Sequence, residues 1–292
     1  MDPFEENSPR ENEFPQLSWK HYDIEQRFGF HGGRYTSVNM LFTGLLALMF
    51  SVAFFAILEF IPRNHIIQMF TDRGIVPYPI VLLGFWTFFI LVVKQWKIYF
   101  QSQPLEFPIP SDDSAFVLTP STADEVNEQI RKNADNPKDF LLYRRIVLAL
   151  SNLKYLRRVS DVDDFIRSQA DQDAEAMETS YTIINGFLWA IPILGFIGTV
   201  LGLSQAIGKF SDVLKPNGDF SQLIAPLQDV LANLSTAFET TLIALVIALF
   251  LQLYSFAVRK REEEFLDDCA EFCTIKIVAR LRMDFNDNEE EH

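Results

Sequence analysis

The 292-residue chain joins 49% hydrophobic residues, among them 28 Phe, to 22% charged residues and a net charge of −14. Apolar and charged residues in these amounts coexist naturally when they are segregated along the chain, as in an integral membrane protein, and less so in a water-soluble globule. The acidity argues against a nucleic-acid partner, because neutralising phosphate takes clustered Lys and Arg.

Residues 1–36 read as a polar cytosolic arm, with Pro3, Pro9 and Pro15 opposing a long helix. No basic stretch followed by an apolar core occurs there, so no cleavable leader is expected. Trp19, Tyr22, Phe28 and Phe30 suit a segment lying along a membrane surface. Val38 to Ile61 is uncharged until Glu59 and long enough to cross about 30 Å of hydrocarbon. After a short turn from Pro62 to Pro77, Pro79 to Val93 begins a second span. It continues through Lys94, Trp96, Lys97 and Tyr99, the aromatic and basic border of a membrane interface. Residues 37–100 thus form a transmembrane hairpin.

Pro104, Pro108, Pro110 and Pro120 mark an extended linker, and Ser121 to Ser180 is polar with a helical period. Ser121 with Asp124, or Thr122 with Glu125, suits a helix start. Leu141, Leu142, Ile146, Val147, Leu150, Leu153 and Leu156 form an apolar helical face. Residues 101–180 are therefore a cytosolic linker and helical module. Ile183 to Ile207 is the third span, Asn217-Gly218 a turn, and Leu231 to Val258 the fourth span, so residues 181–260 make a second hairpin. Arg259, Lys260 and Arg261 close it. Residues 261–292 are a C-terminal cytosolic helix, amphipathic through Phe265, Cys269, Phe272, Ile275 and Val278, with an acidic tail.

The fold class is all-α: an integral membrane protein with four transmembrane helices, a helical cytosolic module and a C-terminal cytosolic helix. The loop between spans one and two holds only Arg63 and Arg73, and that between spans three and four only Lys209 and Lys215, of 25 basic residues. The positive-inside rule then places both termini and residues 101–180 in the cytosol.

Enzyme chemistry finds no foothold. His21, His31, His65 and His292 are scattered, and no HExxH, Walker loop, GxSxG or paired metal-ligand spacing occurs. Cys269 and Cys273, four apart on a helix, suit neither a disulfide nor a zinc site and read as packed free thiols. The expectation is no enzyme, no metal and no cofactor.

The informative stretch is Pro192 to Lys209. Gly195, Gly198 and Gly202 fall on one helix face, at about 1 kcal/mol each relative to alanine. Small-residue spacing of this kind lets membrane helices approach closely. Thr199 lies eight residues in from the end of its span near Ile207, and Thr241 eight in from Asn233 on the other. At 1.5 Å per residue both sit about 12 Å deep, and Thr240 adds a third hydroxyl. Such a layer serves a passing ion, a water or a protonatable carboxylate, or simply bonds helix to helix. Glu239 either reaches an outer vestibule to attract cations, or pairs across subunits, or snorkels at the border.

Pro192-Ile-Leu-Gly-Phe-Ile-Gly-Thr-Val-Leu-Gly202 resembles the PxLGLLGTVxG signature of the MotA/TolQ/ExbB proton-channel family, and Ala237-Phe-Glu-Thr-Thr-Leu-Ile-Ala-Leu-Val246 resembles the segment of its last membrane helix. The likeness covers roughly residues 180–260. It implies that 181–260 is a channel-forming hairpin and that the chain is a ring subunit of an ion-driven rotary motor (a stator) in a bacterial inner membrane. A homopentamer would surround a dimer of a single-span MotB/ExbD/TolR-like partner whose transmembrane Asp carries H+ or Na+. By position Thr199 and Thr241 match the threonines of the two motifs, and Pro192 matches the proline of the third helix. Ala244 stands where TolQ-like proteins have glycine, and Thr240 where proton-driven members have alanine, an arrangement similar to that of sodium-driven stators. Residues 121–180 lack a match to the flagellar torque-generating region. A non-conducting membrane scaffold is the alternative reading.

Overall fold

A computed structural model describes residues 17–30, 32–33, 35–72, 74–106, 117–119, 122–153, 158–213 and 220–282. The expected turn at Asn217-Gly218, Pro108, Pro110 and Pro120 of the linker, and the acidic stretches at the two ends lie outside these residues. In chain order the helices are α1 (Trp19–Tyr22), α2 (Ile24–Arg27), α3 (Met40–Phe60), α4 (His65–Thr71), α5 (Pro77–Ser102), α6 (Ala123–Asn133), α7 (Leu141–Asn152), α8 (Val159–Ser180), α9 (Thr182–Val213) and α10 (Phe220–Phe272). Among the described residues there is no strand, only two isolated bridges, Leu17 with Ala134 and Leu118 with Leu281. Four helical stretches are long and apolar enough to cross a membrane, contained in Met40–Phe60, Pro77–Glu106, Val159–Gly208 and Ala237–Arg280.

Two features of the helices have local causes. The turn from Pro62 to Pro77 contains the helix α4, whose sequence HIIQMFT is too short to register as a period. Past Arg259–Arg261, the amphipathic stretch expected to follow the fourth span is part of the same helix: α10 runs unbroken to Phe272, then passes into a π-helical turn, Cys273–Ile277. Lys and Arg are good helix formers, so a cluster of them ends the apolar run without ending the helix.

The chain divides into two compact units, each built on its own core. One comprises Val38–Trp96 and Met177–Arg261. Its helix α3 begins on Asn39, whose side chain accepts from the Leu41 and Phe42 amides at 2.9 and 3.3 Å, satisfying two of the amides a helix start leaves open. Phe50 and Phe54 of α3 meet Phe89 and Phe85 of α5 with ring centroids 4.8 and 5.8 Å apart. Where the spans turn charged, Lys94 donates to Ser180 at 2.8 Å and lies 4.7 Å from the Tyr181 ring centre. Arg259 bonds Glu178 at 2.7 Å.

The other unit comprises residues 1–37, Lys97–Ala176 and Glu262–His292. Trp19 belongs to its core, 5.6 Å from Phe100 and 5.9 Å from Phe140, rather than to a membrane surface, whereas Phe28 is exposed. Lys97, read from sequence as an interfacial lysine, is buried here. Its ammonium lies 2.6 Å from Glu25 and 3.8 Å from Asp23 and donates to the Ser37 carbonyl at 2.8 Å. Three charges out of water require this mutual satisfaction. Leu141, Leu142, Ile146, Leu150 and Leu153 are buried, as their spacing predicts. Arg145, also buried, pairs with Asp173 at 2.7 Å, and Cys269 and Cys273 are buried free thiols.

Candidate functional site

The hairpin of α9 and α10 is held together at its glycines. A Cβ added to Gly195 would stand 2.5 Å from the Ala244 Cβ and 3.2 Å from the Thr241 Cα, and one on Gly198 would stand 2.6 Å from the Thr240 hydroxyl. Neither distance is tolerable, so the two backbones meet only because these positions lack side-chain atoms. Gly202 is buried one turn further on. Pro192 lies inside α9, which continues through it. Lacking an N–H, it leaves one helical carbonyl without its usual donor.

This close approach brings Thr199 and Thr241 into hydrogen-bond contact, hydroxyl to hydroxyl. Thr241 Oγ1 lies 2.8 Å from the Gly195 carbonyl of the opposite helix and Thr199 Oγ1 3.1 Å from the Ala237 carbonyl, so when one hydroxyl donates to the other, the second donates to its carbonyl. The longer contacts, Thr199 to Gly195 O at 3.3 Å and Thr241 to Ala237 O at 3.4 Å, are those each hydroxyl makes to the carbonyl four residues back on its own helix. Two hydroxyls and two carbonyls thus form one four-oxygen cluster. Each hydroxyl has a single proton, so donating it leaves lone pairs that accept a hydrogen bond or ligate a cation. In an apolar span such oxygens carry more weight than in water.

Thr240 is fully buried against α9. Its hydroxyl donates to the Ala237 carbonyl at 3.1 Å and covers Gly198. Glu239 is buried as well; its carboxylate accepts from Ser235 at 2.7 Å and lies 3.5 Å from His65 Nε2, the first residue of α4. The pairing of His65 with Glu239 has no sequence signal. A histidine in a polar turn looks like ordinary surface, and only the fold brings the α3–α5 turn beside Glu239, well inside α10. The carbonyls of Gly195 and Ala237 were equally illegible, since every residue has one. Among the described residues no group of three or more His, Cys, Asp and Glu is arranged to hold a metal ion.

No curated protein and no solved structure matches the chain. Residues 133–270, which contain the whole hydroxyl cluster, match the family model of the MotA/TolQ/ExbB proton channel family.

Proposed function

With residues 133–270 belonging to the MotA/TolQ/ExbB proton channel family, we propose that this multi-pass membrane protein is the ring subunit of an ion-driven rotary motor. Five copies surround a dimer of a single-span partner that supplies a transmembrane Asp. Cations, H+ or Na+, descend their gradient past Glu239, Thr240, Thr199 and Thr241 and neutralise the partner's carboxylates in turn. Each neutralisation removes a charge that the hydroxyl layer had held and lets the ring step around the dimer. The sequence motivates the second subunit, because the apolar runs Val38 to Ile61, Pro79 to Val93, Ile183 to Ile207 and Leu231 to Val258 contain no Asp. The distribution of Lys and Arg supports cytosolic termini, and the family supports a bacterial inner membrane.

The observation that carries this reading is the four-oxygen cluster, which concentrates polar atoms where two apolar helices touch. The same bonds also favour a second reading. Hydroxyl protons donated between helices are what a non-conducting scaffold needs from a packing hairpin.

One experiment separates the two. The full chain is purified from its native membrane, and the mass of the assembly and the identity of co-purifying proteins are measured. A 5:2 complex with a single-span Asp-bearing protein, whose cation flux in liposomes is lost in Thr199→Val with Thr241→Val, supports the motor. A homo-oligomer without such a partner, or flux that survives both substitutions, removes it.

A further inference from the structure

The turn between the first two membrane spans holds a cavity that the ion path does not use. Its volume is about 380 Å³, and Phe55, Glu59, Arg63, Thr71, Asp72 and Tyr78 are among the residues lining it. Small-molecule sites range over about 300–1,000 Å³. Glu59 is the penultimate residue of α3 and Tyr78 the second of α5, so the cavity sits where the hydrocarbon gives way to headgroups. Next in sequence to the lining residues Glu59 and Ile67, Phe60 and Ile66 are 90% and 69% exposed, apolar side chains open to acyl chains.

Among the described residues the charges inside the cavity are mixed: two carboxylates, Glu59 and Asp72, and one guanidinium, Arg63. Among the described residues neither Glu59 nor Arg63 makes an ion pair, and Asp72 accepts only a 3.2 Å bond from Thr71. Phe55 and Tyr78 form one wall, their ring centres 4.5 Å apart. Two carboxylates and two ring faces suit a primary ammonium, which brings three donors and a positive charge. A guanidinium suits a phosphate, which it binds with two parallel N–H groups. Both charges on one small ligand at headgroup depth describe a zwitterionic phospholipid.

We propose that this cavity binds the headgroup of an ethanolamine phospholipid, with the ammonium on Glu59 and Asp72 and the phosphate on Arg63. Among the described lining residues the carboxylates outnumber the guanidinium, which disfavours an anionic lipid, and carboxylates find no N–H donor on choline. The site rests on the membrane spans alone, so it and the motor reading stand or fall separately.

The test uses the full chain in nanodiscs of equal phosphatidylethanolamine, phosphatidylcholine and phosphatidylglycerol, with lipids retained after release read by native mass spectrometry. The expected result is selective retention of phosphatidylethanolamine, cut about tenfold by Arg63→Gln or Glu59→Gln, as loss of a charge-assisted hydrogen bond implies. Equal retention of phosphatidylglycerol, or unaltered retention in both variants, overturns the proposal. Should a variant fail to fold, a photoactivatable phosphatidylethanolamine on the unaltered chain decides. Cross-links to the peptide 55–78 support the site. Cross-links elsewhere, or protection of this peptide by a second copy, overturn it.

Discussion

Thr199 and Thr241 stand 42 residues apart in the chain and touch hydroxyl to hydroxyl, each within donating reach of the carbonyl four residues before the other. The exchange is reciprocal: α9 supplies Gly195 O to Thr241, and α10 supplies Ala237 O to Thr199. Neither bond is available unless the helices meet at Gly195 and Gly198.

That reciprocity separates the stability of the pair from its use. Hydrogen bonds between membrane helices are worth about 0.6 kcal/mol each, so Thr199→Val with Thr241→Val is expected to lower stability by only about 1 kcal/mol. Thermal melts of the detergent-solubilised protein check this. Cation flux with the partner present is expected to fall to background in the same variant. A large loss of stability would instead make the threonines structural.

Close approach at Gly195 predicts a compensating pair. Gly195→Ala drives a methyl against the Ala244 Cβ and the Thr241 backbone, and overpacking of this kind costs about 1–3 kcal/mol. Ala244→Gly in the same chain removes the nearer obstacle. The double variant is expected to regain part of the loss in melting temperature that Gly195→Ala suffers, a coupling that independent sites would not show.

Lys97 predicts the behaviour of a buried charge. Lys97→Met removes the ammonium 2.6 Å from Glu25 and 3.8 Å from Asp23 in a site closed to water, and breaking such a pair costs about 3–5 kcal/mol. Limited proteolysis is expected to cut the chain within residues 17–37 much faster in this variant. Glu25→Gln combined with Lys97→Met removes the negative charge that faced the lost ammonium and is expected to be less harmful than Lys97→Met alone.

Tyr143 predicts a loss of stability in alkali. Burial pushes its phenol above the ordinary value, with an opposing and smaller pull from the Asn133 side chain. The folded chain therefore keeps a proton that the unfolded chain releases above about pH 10, and stability falls as pH rises through that range. The slope reaches about 1.4 kcal/mol per pH unit from this one group. Tyr143→Phe has no such proton, and its melting temperature is expected to decline less steeply between neutral and strongly alkaline pH.

Membrane spans are legible in sequence because crossing hydrocarbon demands unbroken apolar length, and the runs beginning near Val38, Pro79, Ile183 and Leu231 meet that demand without reference to neighbours. The matched depth of Thr199 and Thr241 was legible for the same reason, being a count along two helices. The glycine motif carried the family, which the match over residues 133–270 bears out. Lys97 shows where this reading stops. Beside Trp96 and Tyr99 it has the sequence surroundings of an interfacial lysine, yet its partner Glu25 lies 72 residues earlier. Likewise Glu239 could be weighed as a carboxylate in a span, but its approach to His65 depends on α4, too short to declare itself. Sequence settles what one segment must do in its solvent, because hydrophobic length and period are local. Which buried charge meets which, and which carbonyl faces which hydroxyl, is decided by packing, because the attraction acts across space and leaves no period in the chain.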